Sequence, residues 1–151
     1  MWQDKVTRRI IGWSLSLEMT AELVISALRK AVGKGLLKRG AIIHSDRGSQ
    51  YASNGFRQLL QQNSFQQSMS GKGNCYNNAQ AESFFSRFKA ELIEDGVFED
   101  IEQTRSEIFS YIEGYYNRVR LHSSLGYKSP IEFEMRLKSK NERGKRQFFI
   151  H

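Results

Sequence analysis

Apolar residues along this 151-residue chain change their spacing from one stretch to the next, and the order of those changes dictates the kind of fold available. Ile11, Trp13, Leu15 and Leu17 alternate with Gly12, Ser14 and Ser16, the period of two that a half-buried strand requires, so residues 9–17 are expected to be a strand. After Thr20, a candidate N-cap, Val24, Ala27, Leu28, Ala31 and Val32 follow helical spacing until Gly33 and Gly35 end the run. Ala41-Ile42-Ile43-His44 is a short apolar run closed by the turn residues Ser45-Asp46-Arg47-Gly48, which predicts a buried strand with Asp46 at its C-terminal end. Ser53 opens a helical stretch with Phe56, Leu59 and Leu60 inward, and residues 64–69 are expected to form another strand.

Beyond the loop Ser70-Gly71-Lys72-Gly73-Asn74 the pattern is helical only. From Asn77 or Asn78, Ala81, Phe84, Phe85, Phe88 and Leu92 share one helix face, and a second helix places Ile108, Tyr111, Ile112, Tyr115, Tyr116 and Val119 together. A third starts at Ser129-Pro130-Ile131-Glu132, where N-cap serine, proline and glutamate make a capping box. Strands interleaved with helices, then helices alone, predict one α/β domain with a helical C-terminal part. The length suits a single core, with 39% hydrophobic and 12% aromatic residues, too many for a disordered chain. No apolar run approaches the ~18 residues of a membrane span and no signal-peptide pattern opens the chain, so a cytoplasmic protein is expected. Cys75 is alone, which excludes an internal disulfide and a cysteine-rich zinc site.

Charge narrows the partner. The net charge is +7, and the acid is concentrated: residues 91–107 carry seven acidic side chains and one basic, whereas residues 1–90 carry thirteen basic and five acidic. A basic tail is expected at residues 136–151, where Arg136, Lys138, Lys140, Arg143, Lys145 and Arg146 face Glu142 alone. Such a balance is suited to phosphate backbones through counterion release, although a solvated basic tail needs no nucleic acid.

Two carboxylates are candidates for chemistry. Glu82 lies about 20° from Lys89 around its helix, with Asn78 about 40° away on the same side, next to the phenylalanine face. A lone helix glutamate is ordinarily solvated. Asp46 before Arg47-Gly48 is ordinary turn chemistry, yet the C-terminal ends of strands in α/β sheets are where ligand-binding groups gather. Hard cations such as Mg²⁺ need carboxylate oxygens converging from separate elements. The same pair would serve a glycosidase, but a basic chain without a tryptophan-rich groove suits DNA better than sugar.

The segments His44-Ser45-Asp46-Arg47-Gly48-Ser49-Gln50-Tyr51, Ser68-Met69-Ser70-Gly71-Lys72-Gly73-Asn74-Cys75-Tyr76 and Asn78-Ala79-Gln80-Ala81-Glu82-Ser83-Phe84-Phe85 resemble insertion-sequence transposases of the orfA/orfB type. Tyr116-Asn117-Arg118 and His122-Ser123-Ser124-Leu125-Gly126-Tyr127-Lys128-Ser129-Pro130 extend the likeness, and 35 residues separate Asp46 from Glu82, the spacing that names the group shared with retroviral integrases. The resemblance covers roughly residues 4–135 and implies a ribonuclease H-like integrase core over 1–135. It also implies two Mg²⁺ or Mn²⁺ ions held by two aspartates and a glutamate, and DNA strand cleavage followed by joining to target DNA.

On that resemblance Asp46 matches the second aspartate and Glu82 the glutamate, while Lys89, Lys72, Asn78 and Arg47 are expected at DNA. His44 and His122 belong to the motifs but have no His or Cys partners at metal spacing, so packing or capping roles are expected of them. Asn77 stands where the family usually has aspartate. The first catalytic aspartate of the family lies on a strand upstream of the Arg8–Trp13 match, and Asp4 matches a different position. The expected sheet is therefore incomplete: in the order 3-2-1-4-5 its central strand is missing between the strands at 9–17 and 41–45, leaving an unpaired edge. Those two strands pair directly, or a strand comes from another polypeptide, or the chain is a remnant that folds poorly. The partners implied are transposon-end and target DNA at the nucleoid, with a second copy or an intact transposase. The alternative is a catalytically inactive DNA-binding or regulatory remnant.

Overall fold

A computed structural model describes residues 1–70, 84, 86, 100–139 and 147–150, the last four as backbone. They fall into two compact units: Met1–Val6, Ile10–Ala81 and Lys145–His151 in the first, Thr7–Arg9 and Glu82–Gly144 in the second.

The first unit holds a five-stranded sheet. Its strands are β1 (Trp2–Asp4), β2 (Ile10–Gly12), β3 (Ile42–Ser45), β4 (Gln66–Met69) and β5 (Gln147–Ile150), in the order β2-β1-β5-β3-β4. β1 is antiparallel to both β2 and β5, while β3 is parallel to β5 and β4. Helices α1 (Ala21–Gly33) and α2 (Asn54–Gln62) bury Val24, Ile25, Leu28, Phe56 and Leu60 in one core with Trp2, Ile11 and Ile43. Trp2 is fully buried. Its ring stacks on Phe56 with centroids 5.9 Å apart, and its Nε1–H donates to the Val24 carbonyl at 3.3 Å.

The expected caps form. Thr20 Oγ1 accepts the Leu23 N–H at the start of α1, and Ser53 Oγ accepts the Phe56 N–H at the start of α2. Gly12 lies where β2 crosses α1 so closely that a Cβ there would come 2.2 Å from the Ala27 carbonyl oxygen, a clash with backbone that cannot turn aside. Glycine is the residue that lets the two elements meet.

Three sequence expectations change. The strand predicted over 9–17 is only Ile10–Gly12, because its partner β1 is three residues long; beyond it Leu17 is 92% exposed. β1 itself escaped detection, since Trp2-Gln3-Asp4 buries all three residues and shows no alternation. The central strand position is also filled, by neither of the routes expected for a folded sheet. Gln147–Ile150 returns from the C-terminus to lie between β1 and β3, so the last residues of the supposed basic tail complete the sheet. The run Gln-Phe-Phe-Ile carries no charge.

In the second unit α3 (Ile101–Phe109) starts at Asp100, whose Oδ1 accepts the Gln103 N–H at 2.7 Å, and passes directly into a π-helical turn at Ser110–Tyr116. Hydrogen bonds spanning five residues, Asn117 N–H to the Ile112 carbonyl and Arg120 N–H to the Tyr115 carbonyl, carry this wider winding onward. The wider turn rotates the predicted stripe, so Tyr111, Ile112 and Tyr116 are buried while Tyr115 and Val119 are exposed. Phe84, which is helical and buried, meets Tyr116 edge-on with centroids 4.9 Å apart. Most of the helix predicted from Asn77 onward lies outside the described residues.

Helix α4 (Pro130–Ser139) begins with the predicted capping box: the Ser129 N–H donates to Glu132 Oε2 at 2.9 Å and the Glu132 N–H donates to Ser129 Oγ at 3.4 Å. These bonds, with the Lys128 charge adding a little, hold the Glu132 carboxyl below its usual range. Arg136 and Lys138 lie in the last turn of this helix, where cations complement the helix dipole. Because Ser129 is fully buried, Ser129→Ala is expected to lower stability by ~1 kcal/mol, the usual worth of an N-cap, measured as a shift of the urea midpoint without a change in slope. Glu134, on the same helix, is buried and bonded to Arg9 Nη1 at 2.6 Å and to Lys138 Nζ at 3.1 Å. No described helix is long and apolar enough to cross a membrane.

Candidate active site

β3 and β4 run side by side and end together, Ser45 level with Met69, and the Ser70 N–H donating to the Ser45 carbonyl extends the ladder one step. Asp46 follows immediately, at the C-terminal end of β3 as the sequence predicts. Its carboxylate is positioned by the turn it begins, Oδ1 accepting the Gly48 N–H at 2.7 Å. Among the described residues Oδ2 accepts no hydrogen bond. The arrangement is an Asx turn, and it supplies the local reason for Asp-Arg-Gly in this place.

The two strand ends are tied together by side chains around Asp46. Arg47 Nε–H donates to the Ser70 carbonyl at 3.0 Å, so this part of a guanidinium expected at DNA is turned onto the protein's own backbone. The His44 ring bridges to β4, Nδ1 lying 2.9 Å from Ser68 Oγ and Nε2 lying 3.0 Å from Ser70 Oγ. That is the packing role expected of it. Tyr51 is buried behind the turn, where desolvation and then the Asp46 charge push its phenol up to about 12, keeping it neutral. Its carbonyl accepts Gln67 Nε2–H from β4 at 2.8 Å. Ser68, Ser70, Tyr51 and Gln67 were missed as supports of the site; the first three belong to the quoted motifs, but only the parallel pairing of β3 with β4 says what they hold.

Burial, and then the Lys5 charge, lower the His44 pKa from its ordinary 6.5. The unfolded chain therefore binds a proton that the folded chain resists, so the contribution of neutral His44 is complete above pH 6.5 and lost as pH falls below it. Urea midpoints measured at pH 7.5 and 5.5 are expected to show this loss, and His44→Gln, which keeps polar contacts without the titration, to reduce it.

Glu82, Lys72, Asn78 and Lys89 lie outside the described residues. His122, in the second unit, packs edge-on against Tyr116 at 5.1 Å, again a structural role. Among the described residues no three His, Cys, Asp or Glu side chains gather at metal-binding distance; Asp46 is the described member of the predicted ligand set. Its chemistry fits a hard divalent cation, as a carboxylate with one oxygen anchored by a backbone N–H and the other not so engaged.

The chain is similar to known proteins along most of its length. Two models, both described as integrase core domain, match residues 1–75 and 63–130. The transposase for insertion sequence element IS904 of Lactococcus lactis is 48% identical over 131 residues, covering 87% of this chain and 52% of that protein. The transposase InsF for insertion sequence IS3A of Escherichia coli is 44% identical over 131 residues, covering 87% of the chain and 46% of that protein. The chain thus spans about half the length of the curated relatives it matches.

Among solved structures, the catalytic core domain of BIV integrase aligns with a TM-score of 0.56 at 15% identity, covering 94% of this chain and 97% of that one. The HTLV-2 integrase catalytic core in complex with magnesium aligns with a TM-score of 0.52 at 15% identity, covering 87% and 79%. A simian T-cell lymphotropic virus intasome reaches 0.60 at 16% identity, covering 78% and 41%. The fold is therefore that of the ribonuclease H-like integrase cores. With integrase-core-domain models matching residues 1–75 and 63–130, the chain belongs to the integrase core family, and over 131 residues it is similar to insertion-sequence transposases.

Proposed function

We propose that this chain carries two of the metal-binding carboxylates of a transposase catalytic core, Asp46 and Glu82, and acts in cutting transposon-end DNA and joining it to a target. The observation that carries the reading is the position of Asp46: at the C-terminal end of the interior strand β3, beside its parallel neighbour β4, in a turn fixed by the Gly48 N–H. Asp46 and Glu82 would hold Mg²⁺ or Mn²⁺. Two such ions, when bound, supply activation of water and later of a 3′-hydroxyl, and stabilisation of the leaving oxygen.

The chain's own residues do the positioning. The Asx turn fixes the Asp46 carboxylate, Arg47 and His44 lock the ends of β3 and β4, and neutral Tyr51 adds no competing negative charge beneath the site. Lys89, Lys72 and Asn78 would face the DNA end, with Arg47 contributing from its remaining N–H groups. The partners are transposon-end DNA, target DNA, and a second copy or an intact transposase, at the nucleoid.

The strand beside β3 is Gln147–Ile150, which brings no carboxylate to the Asp46 end of the sheet. Strand transfer is expected to need a third carboxylate beside Asp46 and Glu82, since two metal ions must be held together. The test is cleavage of transposon-end DNA in Mg²⁺ or Mn²⁺, by the chain alone and with an added peptide bearing the aspartate-containing first strand of an integrase core. Cleavage is expected with the peptide, and Asp46→Asn or Glu82→Gln is expected to abolish it. Cleavage that ignores both substitutions would overturn the assignment. DNA binding without cleavage under every condition would instead favour the reading as a regulatory, inactive remnant.

A further inference from the structure

The central strand of the sheet is supplied by the C-terminal end of the described chain, and this has a consequence for assembly. β5 is antiparallel to β1, with Trp2 level with Ile150, Gln3 with Phe149 and Asp4 with Phe148. It is parallel to β3, with Ile42 level with Gln147, Ile43 with Phe148 and His44 with Phe149. β1 and β3 do not pair with each other. Without β5 they would present two facing edges separated by about two strand spacings, ~10 Å, a slot for one extended segment of defined direction.

Main-chain hydrogen bonds on both sides are what hold a strand in such a slot, as in recognition by strand addition. The occupant is the last described segment of the chain. Residues 145–151 belong to the first unit, whereas the stretch before them, Glu82–Gly144, belongs to the second. A strand delivered this way to the sheet it completes has the connectivity of elements that exchange between identical chains, because the same segment of another copy offers the same backbone and side chains to the same slot.

We propose that the slot between β1 and β3 exchanges its occupant, and that its partner is the Lys145–His151 segment of a second copy of this chain, giving a strand-exchanged dimer. Tethering gives each chain's own arm an effective concentration in the millimolar range, so self-occupancy prevails in dilute protein and exchange rises as the chain approaches ~1 mM. Charge does not select the strand itself, since Gln147–Ile150 is neutral; direction and backbone pairing do. A proline at 149 lacks the N–H that a central strand must donate and disrupts that pairing.

The test uses the full chain. Sedimentation velocity after brief warming and cooling is expected to show a dimer fraction that grows with concentration and falls when excess synthetic peptide of sequence Lys145–His151 is present. Native mass spectrometry is expected to find that peptide captured by the protein with 1:1 stoichiometry, and the same peptide with Phe149→Pro captured at least tenfold less. Full-length Phe149→Pro, with its own arm disabled, is expected to capture the unmodified peptide at least tenfold better than the wild type does. Should that variant fail to fold, amide exchange on the wild type decides: β5 amides opening faster than that of Ile43 in β3 support exchange, and β5 amides exchanging only with global unfolding overturn it. A monomer at every concentration that captures no peptide, equal capture of the proline peptide, or a dimer indifferent to excess peptide would each contradict the proposal.

Discussion

Trp2→Ala is expected to cost the protein ~4 kcal/mol, a large share of the ~5–15 kcal/mol by which a domain of this size is stable. The indole is fully buried, stacks on Phe56 and donates to the Val24 carbonyl, so truncation removes apolar contact, opens a cavity between the sheet and α1, and takes away the bond that ties β1 to this helical carbonyl. The loss also reaches the site by a traceable route. Trp2 lies in β1, β1 pairs with β5, and β5 pairs with β3, the strand that ends at Asp46. Urea denaturation followed by circular dichroism measures the cost. Trp2→Phe, which keeps a ring for Phe56 and loses only the N–H and part of the volume, should restore more than half of it; equal losses in both variants would mean that the stacking contributes little.

Arg9→Met is expected to cost ~3 kcal/mol through a different mechanism. Glu134 is only 7% exposed at its side chain and pairs with Arg9, itself 20% exposed, at 2.6 Å. Removing one member of a buried pair strands the charge of the other. Lys138 remains at 3.1 Å from Glu134, but its side chain is 63% exposed and screened by water, which places the expected cost at the lower end of the range for a broken buried pair. The pair itself is not a large net source of stability, since both charges give up water to form it. Arg9→Met combined with Glu134→Leu should therefore recover most of what Arg9→Met alone loses, and a double variant no more stable than the single one would contradict this reading.

The strand and helix periods around α1, α2 and β3 were legible because each carries a single face toward one core, and the Thr20, Ser53 and Ser129 caps were legible because they satisfy local N–H groups. Elements whose existence depends on distant partners were not. Nothing local marks Trp2-Gln3-Asp4 as a strand; pairing on both sides makes it one. Gln147–Ile150 sat in a basic stretch whose charge drew attention to phosphate, while its neutral run was the part that entered the sheet. The exposed ends of the predicted 9–17 strand failed for the converse reason, an alternation with no strand to pair against. In the second unit, a π-helical turn shifted which aromatic residues of a correct helix were buried.

At the site, Asp46 was found because turn residues following an apolar run locate the end of a strand, and the structure places it there in an Asx turn. The supporting bonds of His44 and Arg47 to Ser68 and Ser70 depend on the parallel neighbour β4, which is 24 residues away for the His44–Ser68 contact. Spacing alone cannot state such contacts.

Mn²⁺ titration of the full chain, read by the loss of the free-ion paramagnetic resonance signal, bears most directly on the pairing of Asp46 with Glu82. A shared site predicts that Asp46→Asn and Glu82→Gln each weaken binding at least tenfold and that the double variant binds little worse than either single one, since one carboxylate cannot hold the ion once the other is gone. Binding that survives both single substitutions unchanged, or two independent and additive losses, would contradict a common cation site.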